Sequence, residues 1–158
     1  MAREYLTCLT ESMTSVLKKM IDIDSVSLEA APVLPSVTAG VTVVSLLGFN
    51  GARKGRVVME MSIDTAQHLG QALNQEELTP FDKMIFYALS ELSNIFCGAA
   101  VTKINNGPDR PGLRLTPPNI LVGEGMQVFD AHAELETARV TWSDGEIFIH
   151  LSMERGAG

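Results

Sequence analysis

A glutamate and an asparagine stand three residues apart in the segment YALSELSNIFCGAA, residues 87–100. The segment is mostly apolar, which is typical of a helix built for burial. Side chains at positions i and i+3 lie about one turn apart on the same side of a helix, so Glu91 and Asn94 are predicted to be neighbours. A carboxylate only accepts hydrogen bonds, whereas a carboxamide both donates and accepts them. The pair is therefore a candidate for a catalytic or protein-docking face.

The helix that carries this pair is unusually poor in charge. Between Lys83 and Lys103, Glu91 is the only charged residue. A water-exposed helix face normally carries several charges, so this helix is predicted to be covered on much of its circumference, by its own sheet and by something else. Its serines, together with Asn94, Gly98 and Thr102, make it too polar for a membrane span despite its length.

A turn of about 100° per residue separates the helix into two stripes. The predicted core stripe consists of Ile85, Ala88, Leu89, Leu92, Phe96 and Ala99. The opposite stripe consists of Tyr87, Glu91, Asn94 and Gly98. Glycine inside a helix costs about 1 kcal/mol relative to alanine, and it often marks a place where another chain comes close. The alternative is that Glu91 and Asn94 are solvated, or are satisfied by groups of their own domain.

Hydrophobic periodicity predicts the elements that position this helix. Helices are predicted over residues 2–20, about 65–74, and 80 to about 105. Strands are predicted over 26–31, 37–49, 56–63, roughly 126–142 (bulged or broken) and 146–153. This order predicts one α+β domain over residues 1–158, with a mainly antiparallel sheet covered by helices.

Polar and glycine-rich residues predict where these elements begin and end. Asp64 is the predicted cap of the second helix, and Thr79 that of the long helix, with Pro80 at its first position. The segment NNGPDRPG stops the long helix after Asn105. In the segment SDGE, Asp144 and Gly145 form the pair that a two-residue hairpin turn favours.

Composition excludes several functions. The net charge of −7 argues against nucleic-acid binding, and the one cluster of cations, GARKGR, is interpreted as a solvated hairpin turn. His68, His132 and His150 are scattered without metal-ligand spacing. The N-terminal segment lacks the apolar core of a secretory signal. Cys8 and Cys97 form no disulfide framework, so a reduced, cytoplasmic protein is predicted.

The segment SELSNIFCGAAVTKIN resembles the signature helix of the CheX chemotaxis phosphatases, relatives of CheC and of the phosphatase-bearing flagellar switch proteins. The family pattern is an acidic or serine residue, three residues, Glu, two residues, Asn, twenty-two residues and Pro. Glu91, Asn94 and Pro117 fit this pattern, whereas Tyr87 replaces the acidic or serine residue. GRVVMEMSIDTAQHLGQALN also resembles the family's strand and following helix. A single copy of the motif resembles CheX more than CheC, which carries two.

The resemblance implies a CheC-like fold and hydrolysis of the aspartyl phosphate of a CheY-type response regulator in chemotaxis signalling. It implies that Asn94 holds the attacking water and that Glu91 pairs with the regulator's active-site lysine, while Tyr87 and Gly98 contact the regulator. A role for Glu91 as general base is the alternative. No cofactor of its own is expected, because Mg²⁺ is expected on the regulator.

The resemblance also implies a homodimer, with sheets meeting edge to edge or helices packing across the axis. The segment VTVVSLL is apolar enough to pair as an edge strand. Two other functions remain open from the sequence. One is a module that binds a response regulator or a flagellar component without hydrolysing phosphate, and the other is a purely structural dimer.

Overall fold

The computed structural model describes residues 1–21, 26–30, 40–126 and 133–155. The helices are α1 (Ala2–Met20), α2 (Ile63–Asn74) and α3 (Lys83–Asn105). The strands are β1 (Ser27–Ala30), β2 (Val41–Asn50), β3 (Gly55–Ser62), β4 (Arg114–Leu115), β5 (Asn119–Glu124), β6 (Ala133–Trp142) and β7 (Gly145–Glu154). The α+β class and the three predicted helices are confirmed.

All strands belong to one antiparallel sheet in the order β1-β6-β7-β3-β2-β4, and β5 also pairs with β2. Strand β2 is therefore an interior strand, with β3 on one side and both β4 and β5 on the other. The expectation that VTVVSLL could serve as a free edge for a dimer is wrong for this reason. Among the described strands, β1 forms one margin of the sheet, and β4 and β5 form the other.

The three helices pack on one face of the sheet because alternate strand residues point to that face. Strands β2, β3, β6 and β7 contribute Val43, Leu47, Phe49, Val57, Met59, Met61, Ala138, Val140, Ile147, Ile149, Leu151 and Met153 to the core. The helices add one stripe each, including Met13 of α1, Leu69 of α2 and Phe96 of α3. The long helix is thus part of the helical layer that covers one face of the sheet.

Two helix caps differ from the sequence prediction. The cap of α2 is Ser62, whose hydroxyl accepts a hydrogen bond from the backbone N–H of Thr65, so Asp64 lies inside the first turn. The cap of α3 is Asp82, whose carboxylate accepts from the N–H of Met84 at 2.9 Å. Thr79 instead accepts a backbone hydrogen bond from Asp82 in the preceding turn, so the helix starts three residues later than predicted.

The β6–β7 hairpin is confirmed, but its turn is not at Asp-Gly. Trp142 pairs with Gly145, so the two loop residues are Ser143 and Asp144, and neither has a positive φ. A Cβ at Gly145 would lie 2.8 Å from Cγ2 of Thr65, so close packing of α2 explains this glycine.

The strands of the C-terminal half of the chain differ in part from the sequence prediction. Strands β4 and β5 were not predicted, because the prolines between residues 114 and 119 indicated an irregular segment. Strand β6 begins at Ala133, and Met126 lies outside any strand. The remainder of the predicted strand, 127–132, lies outside the described residues, as do 31–39, which include Pro32 and Pro35.

Candidate functional site

The outer face of α3, defined as Tyr87, Glu91, Asn94 and Gly98, points away from the core. Tyr87 is 66% exposed, Glu91 and Asn94 are exposed, and Gly98 is half-buried. The opposite stripe is buried as predicted at Ile85, Ala88, Leu89, Leu92 and Phe96. The predicted division of the helix into an inner and an outer face is therefore confirmed for these residues.

The side chains of Glu91 and Asn94 make no hydrogen bond or ion pair with the residues that the structure describes. Their polar groups are instead open to solvent on a convex helix surface. The possibility that an arginine or a backbone carbonyl of the same domain satisfies them finds no support in the described part of the chain. Both side chains are thus available to a partner.

The rotation of α3 about its own axis is fixed from the inner side. The hydroxyl groups of Ser93 and Ser45 lie 2.6 Å apart, fully buried between α3 and β2. Near its N-terminal end, α3 packs so closely on α2 that a Cβ at Gly70 would lie 2.8 Å from Cγ1 of Ile85. These contacts fix the rotation of α3, and with it the direction in which the outer face points relative to the sheet.

The C-terminal end of α3 is held to the segment that follows it. The Asn105 amide donates to the carbonyl of Leu113 at 3.0 Å and accepts from its N–H at 2.7 Å. Pro117, the last residue of the predicted motif, is exposed in the turn between β4 and β5. Next to it, Thr116 accepts a hydrogen bond from the N–H of Gly48 on β2.

Gly98 lies one turn beyond Asn94 and leaves open space on the outer face. A Cβ built at this position would have no heavy atom within 4 Å. The glycine is therefore not required by packing inside the chain. Thr102, one turn further on, donates its hydroxyl hydrogen to the Gly98 carbonyl at 2.8 Å.

A groove of about 420 Å³ runs beside the outer face, between α1 and α3. Its walls include Val16 and Met20 of α1, and Ile95 and Ala99 of α3. The placement of Ala99 in the core stripe is therefore wrong: the residue is exposed, at the groove between α1 and α3.

An ion pair lies at one wall of this groove. Lys103 Nζ and Glu11 Oε2 are 2.5 Å apart, and this hydrogen bond and the charge of Glu11 raise the pKa of Lys103. Both side chains are largely exposed, so the ion pair contributes little to stability. It joins the outer parts of α1 and α3.

Three large apolar side chains near the outer face are exposed, although the sequence did not identify them as surface residues. Phe81 is 59% exposed, Met84 is 43% exposed and Ile95 is 38% exposed. Met84 lies three residues before Tyr87, and this i, i+3 relation to the outer stripe was the signal that could have identified it. Phe81 lies in the turn before the observed cap Asp82, and not in the first helical turn where the sequence prediction placed it.

Among the described residues, α3 alone is long and apolar enough to cross a membrane. Half of its most apolar window is buried inside the protein, against the sheet and the other helices. This pattern is that of a core helix. The sequence interpretation of α3 as a helix covered by its own sheet is in agreement with this burial.

Other reactive side chains lie away from the outer face. Nδ1 of His68 is 3.3 Å from the carbonyl oxygen of Asp144, and Nδ1 of His150 is 2.9 Å from the Thr137 hydroxyl. His132 is outside the described residues. No group of three or more metal-ligating side chains is found in the described ranges. Cys8 and Cys97 are free thiols.

Comparison with known proteins gives a family and a fold. The family model "Chemotaxis phosphatase CheX" matches residues 43–138, which is more than half of the chain. None of the curated proteins matches the sequence significantly. Three solved structures illustrate the likeness in fold.

A chain of the CheX–CheY–BeF3–Mg²⁺ complex from Borrelia burgdorferi is 23% identical, with a TM-score of 0.79, over 96% of this chain and 98% of that chain. CheX from Vibrio vulnificus is 18% identical, with a TM-score of 0.78, over 98% and 99%. A CheC-like protein from Shewanella oneidensis is 18% identical, with a TM-score of 0.80, over 98% and 100%. The resemblance inferred from the signature helix is confirmed, and the chain belongs to the CheX family of chemotaxis phosphatases.

Proposed function

We propose that this protein accelerates hydrolysis of the aspartyl phosphate of a CheY-type response regulator in chemotaxis, with Glu91 and Asn94 as its catalytic residues. The outer face of α3 enters the regulator's phosphorylation site, and Tyr87 and Gly98 contact the regulator around it. Family membership supports the reaction class. The assignment of the residues depends on the geometry of α3.

The observation that carries the proposal is the exposure of an unpaired carboxylate and an unpaired carboxamide on the convex side of a helix. Glu91 and Asn94 are exposed, and neither has a polar partner among the described residues. Their Cβ atoms lie about 5–6 Å apart, as expected for side chains at i and i+3. Two such groups can be inserted together into a concave site on another protein.

Asn94 positions the attacking water. Its carboxamide accepts a hydrogen bond from the water while it donates another to a neighbouring acceptor, which orients the oxygen toward phosphorus. The water oxygen forms the new bond to phosphorus as the bond to the aspartate oxygen breaks, which releases orthophosphate and restores the carboxylate. Catalysis of this kind depends on positioning, and a hundredfold acceleration requires only about 2.7 kcal/mol.

Glu91 forms an ion pair with the regulator's active-site lysine and thereby fixes α3 in register. The alternative role, general base toward the water, is less suitable because Glu91 lies about one turn away from Asn94. A metal-bound phosphoryl group also needs little help from a base, because the developing charge is already neutralised.

The regulator supplies Mg²⁺ in this proposal. The complex from Borrelia burgdorferi contains CheX, CheY, BeF3 and Mg²⁺ together. Beryllofluoride bound to a carboxylate is a stable analogue of an acyl phosphate, so such a complex represents the state that precedes hydrolysis. The described residues of the present chain need only supply the side chains that enter that state.

The test is the decay of phosphorylated regulator in the presence of the wild-type protein and of Asn94→Ala. We expect the wild type to shorten the phosphoryl lifetime and Asn94→Ala to reduce kcat by about a hundredfold. Asn119→Ala is the matched control, because Asn119 is an exposed asparagine on β5 and not on the outer face of α3, so this variant should retain full activity. Equal decay with wild type and Asn94→Ala contradicts the assignment.

A non-catalytic module that binds a response regulator or a flagellar-switch component is the second candidate. The feature that favours it is Tyr87, whose large ring is 66% exposed one turn before Glu91. In that case the wild type binds the phosphorylated regulator but leaves its phosphoryl lifetime unchanged. The decay experiment therefore separates the two functions directly.

We also propose that the protein acts in the cytoplasm, where CheY-type regulators are phosphorylated, and that it forms a homodimer. Leu121 and Val122 are exposed on β5, at a margin of the described sheet, and can contribute apolar surface to a second copy. Sedimentation at micromolar concentration should give a dimer, and a single monomeric species would contradict this part of the proposal.

A further inference from the structure

We infer that Phe81, Met84 and Tyr87, here called the apolar ridge, bind an apolar surface of the regulator beside its phosphorylation site and direct it toward the N-terminal half of α3. This inference rests on the proposed function, and it names the surface that supplies affinity and orientation. The Glu91 and Asn94 side chains alone specify the chemistry, but they do not specify from which end of the helix the partner approaches.

The apolar ridge consists of three large, exposed side chains at and just before the N-terminal end of α3. Phe81, Met84 and Tyr87 are spaced by three residues, and each is exposed. Tyr87 is one turn from Glu91, so the apolar ridge leads directly into the catalytic pair. Aromatic residues and methionine are enriched in the centres of protein interfaces, where they provide much of the binding energy.

The turn that presents Phe81 is held in place by hydrogen bonds at both of its ends. Leu78 is buried, its N–H donates to the side chain of Gln71, and its carbonyl accepts from the side chain of Gln67. At the other end, Asp82 donates its N–H to the Thr79 carbonyl and caps the helix through the N–H of Met84. A preorganised apolar residue loses little conformational entropy on binding, which favours affinity.

The outer side of α3 carries side chains of different size on the two sides of Glu91 and Asn94. Toward the N-terminus lie the three large side chains of the apolar ridge, whereas toward the C-terminus Gly98 has no side chain and leaves open space. A partner centred on Glu91 and Asn94 therefore finds the apolar ridge toward the N-terminus and open space at Gly98 toward the C-terminus, while Ile95 lies to the side, at the groove beside α1. Backbone of the partner can approach α3 closely over Gly98, while its apolar surface packs on the apolar ridge.

A second copy of this chain is a poorer occupant of the apolar ridge. Because Tyr87 is one turn from Glu91, a subunit packed permanently on the apolar ridge would also cover the catalytic pair. Such a dimer would exclude the regulator from the site. The position of the apolar ridge therefore fits a partner that binds and dissociates with each turnover.

The experiment measures affinity and turnover separately. The first measurement is the Kd for the regulator activated with beryllofluoride and Mg²⁺, and the second is the decay of the phosphorylated regulator over a range of concentrations. The test variant is Phe81→Ala/Met84→Ala. The matched control is Leu28→Ala. Leu28 is also a large apolar residue, and it is 48% exposed on β1, at the margin of the described sheet that lies opposite β4 and β5.

We expect the double variant to raise Kd and KM by about tenfold or more, with kcat at saturation within about twofold of wild type. Leu28→Ala should leave both measurements unchanged. An unchanged Kd and KM in the double variant, or a larger loss of affinity in Ile95→Ala, which changes the groove beside α1, would overturn the inference. A circular-dichroism melt confirms that each variant is folded.

Failure of the proposed function gives a different result. If the wild type binds the activated regulator without shortening the phosphoryl lifetime, the hydrolytic assignment fails. The Kd comparison between wild type and Phe81→Ala/Met84→Ala still decides whether the apolar ridge binds the regulator. A wild type that shows no affinity for the activated regulator overturns both.

Discussion

The Ser93 hydroxyl group lies 2.6 Å from that of Ser45, buried at the contact between α3 and β2. Ser93 is two residues from Glu91, so the two side chains point in nearly opposite directions around the helix. The hydrogen bond therefore fixes, from the inner side of α3, the direction in which Glu91 and Asn94 point on its outer side. An apolar contact at this position would tolerate a small rotation of α3 more easily than a directional hydrogen bond does.

Removal of one of these hydroxyl groups should destabilise the fold. We expect Ser45→Ala to lower the free energy of unfolding by about 1–3 kcal/mol, because the Ser93 hydroxyl is left buried without its partner. Urea denaturation followed by circular dichroism measures this loss. The double variant Ser45→Ala/Ser93→Ala should lose less than the sum of the two single variants, because no unpaired hydroxyl remains. Strict additivity would contradict a direct hydrogen bond.

Gly98 should show opposite effects on stability and on function. Gly98→Ala should raise the free energy of unfolding by about 1 kcal/mol, because the added Cβ meets no neighbouring atom and alanine favours the helix. Gly98→Leu should fold normally but weaken binding of the activated regulator, because its side chain fills the open space in which we propose that the partner packs. Unfolding curves and titrations measure the two effects.

The control for Gly98→Leu is Ala72→Leu, which adds a similar side chain at an exposed position of α2. This variant should bind the regulator as the wild type does. If Gly98→Leu also binds with unchanged affinity, Gly98 lies outside the interface.

Glu91 should act through its charge. Glu91→Gln should raise KM by roughly tenfold with a smaller effect on kcat, because the ion pair with the regulator's lysine is lost. The KM of the wild type should also rise with salt concentration, and that of Glu91→Gln should rise less steeply, since screening weakens charge pairs. Steady-state kinetics at several ionic strengths measures both quantities.

Glu124→Gln removes an exposed carboxylate on β5 and serves as the control, with KM and salt dependence like those of the wild type. A Glu91→Gln variant that loses kcat while keeping its KM would favour the general-base role instead.

The buried thiol of Cys97 should make the fold sensitive to alkali. Burial raises the pKa of the Cys97 thiol above its ordinary value of 9.0, and burial also raises that of Cys8. The unfolded chain therefore releases these protons at lower pH than the folded chain does. The contribution of the Cys97 thiol to stability is fully present below pH 9.0 and falls as the pH rises further, by at most about 1.4 kcal/mol per pH unit.

Urea denaturation between pH 8 and 10.5 should therefore give a falling free energy of unfolding, with a shallower slope for Cys97→Ala. The slope is the informative quantity, because Cys97→Ala also loses packing in the core. Identical slopes for wild type and Cys97→Ala would contradict a buried, protonated thiol.

The sequence predicts the elements with strong periodicity and fails where local signals compete. The stripe from Ile85 to Phe96 identifies the inner face of α3 because one helix turn repeats its apolar residues. Both helix caps were misplaced, because Asp64 and Thr79 are also good capping residues and only the three-dimensional arrangement selects Ser62 and Asp82.

Features that depend on contacts between distant segments were the hardest to predict. Strand β5 follows two prolines and is stabilised by pairing with β2, so its sequence alone does not distinguish it from a loop. Gly145 was assigned to a turn, although its close contact with Thr65 on α2 accounts for it. The apolar ridge begins at Phe81, which the sequence prediction places in the first turn of the long helix and the structure places before the cap Asp82.

The convex shape of the outer face has a consequence for inhibition by the reaction product. Glu91 and Asn94 project from the surface of a rod and do not line the groove beside it, so these two side chains do not enclose a free anion. Orthophosphate at millimolar concentration should therefore leave the initial rate unchanged, and free acyl phosphates of small metabolites should be ignored as substrates. In the cell, the lifetime of the signal would then follow the number of enzyme molecules rather than the phosphate level.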